Sequence, residues 1–382
     1  MNYSFISFEM YPNGGAAANR HMALFKSLAN DGNQVDLYSC KYRTDHKSAL
    51  YNVKSVLGGN NIIFKLLSLM IFILNTCLSI FLKGNKNSVV VYLGTSGLVL
   101  LPFLLVCKLK KIAIYHERTE LPSLMVGKSK VAKFDFYIYK KFLSSFDSIF
   151  LITEKLKDEF LTYPSIVASK LHIMNMMVDM ARFNNVDKMP SDELKLITFC
   201  GDLSSSKDDV DILIMAFKKV LQILPNIELK LIGDQNTTYF MSVIEPLIQE
   251  LDIRESIIIT GRIEAKKVPY HLLNSDLLVL SRSNSVQAQF GFPTKLGEYL
   301  ASSTPVLVTE TSEIAFFLKD EVNAYLAIAG DTASFANKII KISMNYEHAL
   351  DVGRKGKEVA NKYFCSDVVA HKFHSVVLKA AV

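Results

Sequence analysis

The sequence contains no Cys-x-x-Cys pair, and its five cysteines (Cys40, Cys77, Cys107, Cys200, Cys365) are scattered and odd in number. A disulfide framework or a structural zinc site is therefore not expected, and a reducing cytoplasm is the natural setting. Glycine and proline are scarce, 17 and 10 in 382 residues, while half the residues are hydrophobic. That excludes a disordered or fibrous chain. There is no low-complexity tract and no repeat at the periods of solenoids. The N-terminus, MNYSFISFEMYPNGG, has no basic start and no long apolar run before Glu9, so it does not read as a signal peptide.

What is present suits two α/β domains, because 382 residues exceed one ordinary core. Residues 3–8 read as a strand, 9–15 as a glycine-containing loop, 16–30 as a helix and 34–40 as a second strand, the opening of a Rossmann unit. Further buried strands are expected at 88–93, 111–115 and 148–152. Around 180–195 the apolar periodicity lapses into polar residues and a proline, the best linker. A second alternation follows, with strands at 194–200, 227–232, 256–260, 276–280 and 305–308. Helices are expected between them at 209–223, 237–251, 266–273 and 294–302, which argues for a second parallel sheet. The expected domains are 1–185 and 190–365, with a last helix at 366–382 that closes on either one.

Charge is unevenly placed. Residues 1–180 hold 21 Lys/Arg against 12 Asp/Glu, and residues 181–382 hold 22 against 25. A basic front half implies an anionic partner: nucleic acid, phospholipid headgroups or a phosphorylated substrate. The apolar stretch Ile62–Leu82 lies in that half. It admits a membrane span, a buried domain helix, or a helix dipping one face into a bilayer surface. Lys83, Lys86, Lys108, Lys110, Lys111, Lys128, Lys130, Lys133, Lys140 and Lys141 supply cations around it, each worth about 1 kcal/mol beside an anionic leaflet. A plain solvated face also accounts for them.

The strongest constellation runs from Arg282 to Thr309. A strand ends at Leu280, a loop carries Gly291 and Pro293, and a helix opens near Thr294. Ligands of open α/β sheets collect at the carboxyl ends of strands, and a helix N-terminus there offers N–H groups and partial positive charge to a diphosphate. Thr294 either caps the helix or binds phosphate, and Lys295 and Arg282 add full charges. Glu298, one turn on, faces the same side, where a carboxylate accepts hydrogen bonds from two vicinal hydroxyls such as those of a ribose. A capped helix with a solvent-facing Glu fits the same spacing. Asp209-Val-Asp211 has a metal–nucleotide look but begins a helix, so N-capping is expected. His371 and His374 lack a third ligand for a metal.

The segment GFPTKLGEYLASSTPVLVT resembles the donor-site signature of glycosyltransferase family 4. PNGGAAANRHMALFKSLANDGNQVDLY is similar to that family's opening glycine loop and helix. LITEKLKDEF and LHIMNMMVDMARF resemble its end-of-first-domain elements, and ITFCGDLSSSKDDVDILIMAF and NIELKLIGD the start of its second domain. The resemblance covers essentially the whole chain and keeps the order of the segments. It implies a GT-B fold, two facing Rossmann-like domains with parallel sheets, the acceptor in the first and the donor nucleotide in the second. It also implies retaining, metal-independent transfer of a sugar from a UDP- or GDP-linked donor to a lipid-linked or polysaccharide acceptor, with no cofactor. The protein would then lie peripherally on the inner face of the cytoplasmic membrane. The expected partners are a nucleotide sugar, a glycan or lipid-linked acceptor and an anionic membrane surface, and not nucleic acid.

By this resemblance Lys207 falls on the phosphate-binding lysine, Glu298 on the ribose-holding Glu and His116 on the cleft histidine. Arg282 completes the catalytic set. Donor contacts are expected from Gly14, Gly15, Arg262, Phe292, Pro293, Thr294, Lys295 and Leu296, and acceptor-side contacts from Glu117, Arg118 and Glu120. The chain departs from the family pattern in three places: Phe290 replaces the first Glu of its pair, Asp202 an Arg, and Thr304 a Gly. Arg282 is the expected substitute for the missing Arg. Two other readings share the architecture: a nucleotide-sugar 2-epimerase, and a non-catalytic nucleotide-sugar binder.

Overall fold

A computed structural model describes residues 1–382 apart from Met10, 12–14, 41–51, 56–61, 188, 190 and 381–382. The chain forms two compact units, Met1–Met177 with Ser366–Val382, and Val178–Cys365. The division lies at 177/178, earlier than the polar stretch around 185. That stretch is instead the start of the second unit, where Asp179 caps a short turn, Met180–Phe183.

The strands of unit 1 are β1 (Asn2–Ser7), β2 (Gln34–Ser39), β3 (Asn52–Ser55), β4 (Ser88–Tyr92), β5 (Ala113–Arg118), β6 (Ser148–Leu151) and β7 (Leu171–Ile173). They form one parallel sheet in the order β3-β2-β1-β4-β5-β6-β7. All five residues of β4 are buried, as a central strand covered on both faces requires. The helices are α1 (Ala16–Asn30), α2 (Ile62–Lys83), α3 (Gly97–Lys110), α4 (Lys130–Phe142) and α5 (Glu154–Leu161). Unlike the expected strand 111–115, β5 runs on to Arg118. His116 pairs in register with Tyr92 and with Ile149, so it sits inside the sheet and not beyond its edge.

Unit 2 repeats the plan with β8 (Leu196–Cys200), β9 (Glu228–Ile232), β10 (Ile257–Gly261), β11 (Leu277–Leu280), β12 (Val306–Thr309) and β13 (Tyr325–Ala327). The parallel order is β10-β9-β8-β11-β12-β13. Its helices are α6 (Val210–Leu221), α7 (Glu245–Glu250), α8 (Val268–Leu273), α9 (Val286–Phe290), α10 (Thr294–Ala301), α11 (Ile314–Phe317), α12 (Thr332–Met344) and α13 (Tyr346–Val359). The last helix, α14 (Ser366–Ala380), belongs to unit 1. Its Val369, Ala370, Phe373 and Val377 join the core formed by Phe5, Phe25 and Phe150. Ser27 on α1 donates to Asp367 at 2.5 Å, and the Phe150 and Phe373 ring centroids lie 4.6 Å apart.

Candidate donor site in unit 2

Strand order reverses between β8 and β11, and the crevice outside the carboxyl ends of such a pair is where open parallel sheets take ligands. Three segments converge there: the loop after β8 (201–209), the loop after β11 (281–293) and the N-terminus of α10. Tyr299 fastens α10 to the end of β8, because its buried hydroxyl accepts from Cys200 N–H at 2.7 Å and donates to Cys200 C=O at 3.0 Å. Ser281 ties the two loops, donating to the carbonyls of Asp208 (2.8 Å) and Asp209 (3.0 Å). Gly233 closes the β9 side. A Cβ there would collide with the Gly201 carbonyl and lie 2.7 Å from Leu203 Cγ.

The helix opens without a side-chain cap. Pro293 holds the cap position of α10, and Thr294 is the first helical residue, so the expected capping by Thr294 is corrected. Proline offers neither a capping oxygen nor an N–H, which leaves the helix end to a ligand. Phe292 and Leu296 are 6% and 0% exposed, so their side chains support the helix from inside. Lys295 lies across Gly201 with its Nζ 5.0 Å from the centroid of Phe199, and pairs with the buried carboxylate of Asp208. Asp209 likewise stands at the cap position of α6 without making a cap bond. Its backbone is left-handed (φ 41°), and burial, then Asp211 and Asp208, push its carboxyl up to about 6.

Glu298 is partly exposed and pairs with Arg182, whose second amino group donates to Ala265 C=O at 2.8 Å. Arg182 and Asp208 were not expected at the site. Arg182 stands 116 residues from Glu298 and only tertiary structure joins them. Lys207 is partly exposed beside the crevice, and its carbonyl accepts from Ser283 at 3.4 Å. Arg282 corrects an expectation. It is 4% exposed, and its carbonyl accepts from Thr309 at 2.7 Å, so its guanidinium is enclosed by protein. The side chain of Lys295 fills the space over Gly201, next to Asp202. Arg262 follows β10 and is exposed. Burial, then Glu298, push the Cys200 thiol up to about 12.

Of the expected unit 1 residues that are described, His116, Glu117 and Arg118 are buried. His116 is fully buried. One ring nitrogen meets Tyr92 C=O at 2.8 Å, the other Tyr139 hydroxyl at 2.6 Å, and Phe146 stacks on the ring at 4.8 Å. Burial, then Arg118, lower its pKa to about 3. A neutral imidazole with both nitrogens engaged is a structural group, which corrects its place in the catalytic set. Glu117 on the opposite face of β5 is also buried. It accepts from Arg20 at 2.8 Å and lies 3.3 Å from His21. Burial acts to raise its carboxyl, but Arg20 and His21 outweigh it and hold it at about 2. Its oxygens serve α1, not a sugar. Arg118 is 7% exposed and donates to Glu120 C=O at 3.4 Å. Gly14 lies outside the described residues. Gly15 leads into α1 at φ 81°, a left-handed conformation that glycine adopts without strain.

Two parallel, doubly wound units with an uncapped helix end at a strand-order switch define an α/β protein of GT-B fold. Residues 182–359, nearly all of unit 2, match the family model of glycosyl transferases group 1. No curated protein matches the chain. Among solved structures it is similar to sucrose-phosphate synthase from Thermosynechococcus elongatus, 15% identical over 99% of this chain and 98% of that one, TM-score 0.77. It is also similar to Anabaena HepE in complex with UDP-glucose, 12% identical over 99% and 100%, TM-score 0.74. The lipopolysaccharide outer core galactosyltransferase WaaB is 14% identical over 99% of each chain, TM-score 0.67. Identities this low establish the fold and leave the activity to the site.

Proposed function

We propose that the protein is a retaining glycosyltransferase that moves a sugar from a UDP- or GDP-linked donor to a lipid-linked or polysaccharide acceptor in the cytoplasm. The observation that carries this is the uncapped N-terminus of α10 at the β8/β11 switch, with Lys295 over Gly201 and Glu298 one turn along. The helix end and Lys295 take the diphosphate, with Lys207 as a further cation, while Glu298 takes the ribose hydroxyls. The bond from the anomeric carbon to the diphosphate oxygen breaks as the acceptor hydroxyl bonds to that carbon from the same face. The hydroxyl proton passes to the departing diphosphate. Preorganised positive charge at that oxygen is the main catalytic term, because charge develops there in the transition state. The resemblance to glycosyltransferase family 4, and a complex of a similar fold with UDP-glucose, support this reading.

The test is turnover of a panel of UDP- and GDP-sugars with membrane glycolipid and polysaccharide acceptors, using Glu298→Ala and Lys207→Ala as controls. Transfer with retained anomeric configuration, lost in both variants, is the expected result. Interconversion of free nucleotide sugars without transfer makes the protein an epimerase. Tight nucleotide binding without turnover of any donor makes it a non-catalytic binder.

A further inference from the structure

Three neighbouring helices of unit 1 expose large apolar side chains. Among the described side chains of α2, Phe72, Thr76 and Ile80, spaced by four, are buried. They pin the helix lengthwise to the sheet, with Phe72 packed on Phe8 at 5.8 Å and Ser79 hydrogen-bonded to Tyr38 at 2.8 Å. The opposite face is apolar and exposed: Leu66, Met70, Leu74, Leu78 and Leu82 are between 56% and 70% accessible. Helix α3 packs beside α2, and α4 beside α3. They extend the face with Leu105 (60%), Leu109 (65%), Val131 (70%) and Phe134 (54%). An apolar surface this continuous marks a site of interaction.

Charge identifies the occupant. The three helices carry eight lysines, Lys65, Lys83, Lys108, Lys110, Lys130, Lys133, Lys140 and Lys141, and one acid, Asp135. Asp135 is already engaged with the start of α3, accepting from Ser96 (3.0 Å) and Leu98 N–H (2.7 Å). Next to the C-terminal part of α3 lies a cavity of about 700 Å³. It is lined by Lys86, Lys108 and Lys111 together with Leu101 and Leu104; its one acid, Asp147, is bonded to Ile114 N–H at 2.7 Å. Apolar side chains with cations beside them complement a surface that is oily within and anionic outside.

We propose that the α2–α3–α4 face of unit 1 docks flat on an anionic phospholipid bilayer, with a lipid headgroup phosphate held at the lysine-lined cavity. Helix α2 is long and apolar enough to span a bilayer, but its stripe from Phe72 to Ile80 is buried against unit 1, so it lies in the interface. This inference does not rest on sugar transfer and survives if that reading fails.

The experiment is co-sedimentation of the full chain with vesicles of phosphatidylcholine alone or mixed with phosphatidylglycerol. Binding is expected only to the anionic vesicles and falls as salt screens the lysines. Replacing Lys108, Lys110 and Lys111 by Gln weakens it about a hundredfold, at about fivefold per cation. Leu74→Asn with Leu78→Asn abolishes it, while the thermal melt of this variant stays unchanged because both leucines are exposed. A protein that sediments with neither vesicle overturns the proposal. So does a dimer broken by the leucine variant without lipid binding, which gives the face to a second copy. Resistance to alkaline extraction overturns it in favour of a spanning helix.

Discussion

Lys295 serves two partners, the buried Asp208 carboxylate and the space over Gly201 that a diphosphate would share. Lys295→Ala strands a carboxylate and is expected to cost about 1–3 kcal/mol in urea denaturation. It also weakens UDP or GDP binding while leaving the bare nucleoside unaffected. Adding Asp208→Ala restores stability but not diphosphate affinity, and calorimetry on the double variant separates the two roles. His116 makes a different prediction. Its pKa is about 3 when folded against an ordinary 6.5, so between those values only the unfolded chain takes the proton. The stability of the neutral, buried imidazole is complete above 6.5 and falls as pH drops towards 3. Glu117 titrates from 4.5 to about 2 and enters only lower down. The urea-midpoint advantage of wild type over His116→Gln should therefore shrink from about pH 7 to about pH 5. Residue roles were the least legible part of the sequence. Glu298 and Lys295 could be placed because helix spacing and local motif put them together. The burial of His116, and the pairing of Glu117 with Arg20 and of Arg182 with Glu298, depend on residues far away in the chain.

At the scale of elements the site is a set of fasteners. Gly233 lets the ends of β8 and β9 approach, Gly201 leaves room for Lys295, Tyr299 holds α10 to β8, and Ser281 holds one loop to the other. Gly233→Ala forces a methyl against backbone that cannot rotate away. It is expected to destabilise unit 2 by about 1–3 kcal/mol, read from a denaturant midpoint. The core strands were legible because β4, β8, β11 and β12 are short apolar runs between polar breaks, and the last helix, expected at 366–382, is α14 at Ser366–Ala380. Strands β3, β7 and β13 were not foreseen. They are three or four residues long, too short for a period to show. The end of β5 was misplaced because Glu117 and Arg118 look like loop residues until their partners are known.

For the whole molecule, the last helix decides whether unit 1 is complete. Val369, Ala370, Phe373 and Val377 are at most 3% exposed in its core, so ending the chain at Cys365 removes a wall of that core. The truncated protein should keep a folded unit 2 and lose the transition of unit 1, seen by calorimetric melting. The two-unit plan was readable from the alternation of strands and helices. The return of α14 was not, since an amphipathic helix does not name its neighbour. The central claim is that the β8/β11 switch of unit 2 holds a nucleoside diphosphate through α10 and Glu298. Titration calorimetry of UDP and GDP against wild type and Glu298→Ala tests it most directly. One of the two nucleotides should bind, and the variant should bind it about ten- to a hundredfold more weakly, the worth of charge-assisted hydrogen bonds to a ribose. Binding of neither nucleotide, or equal affinity in the variant, would contradict it.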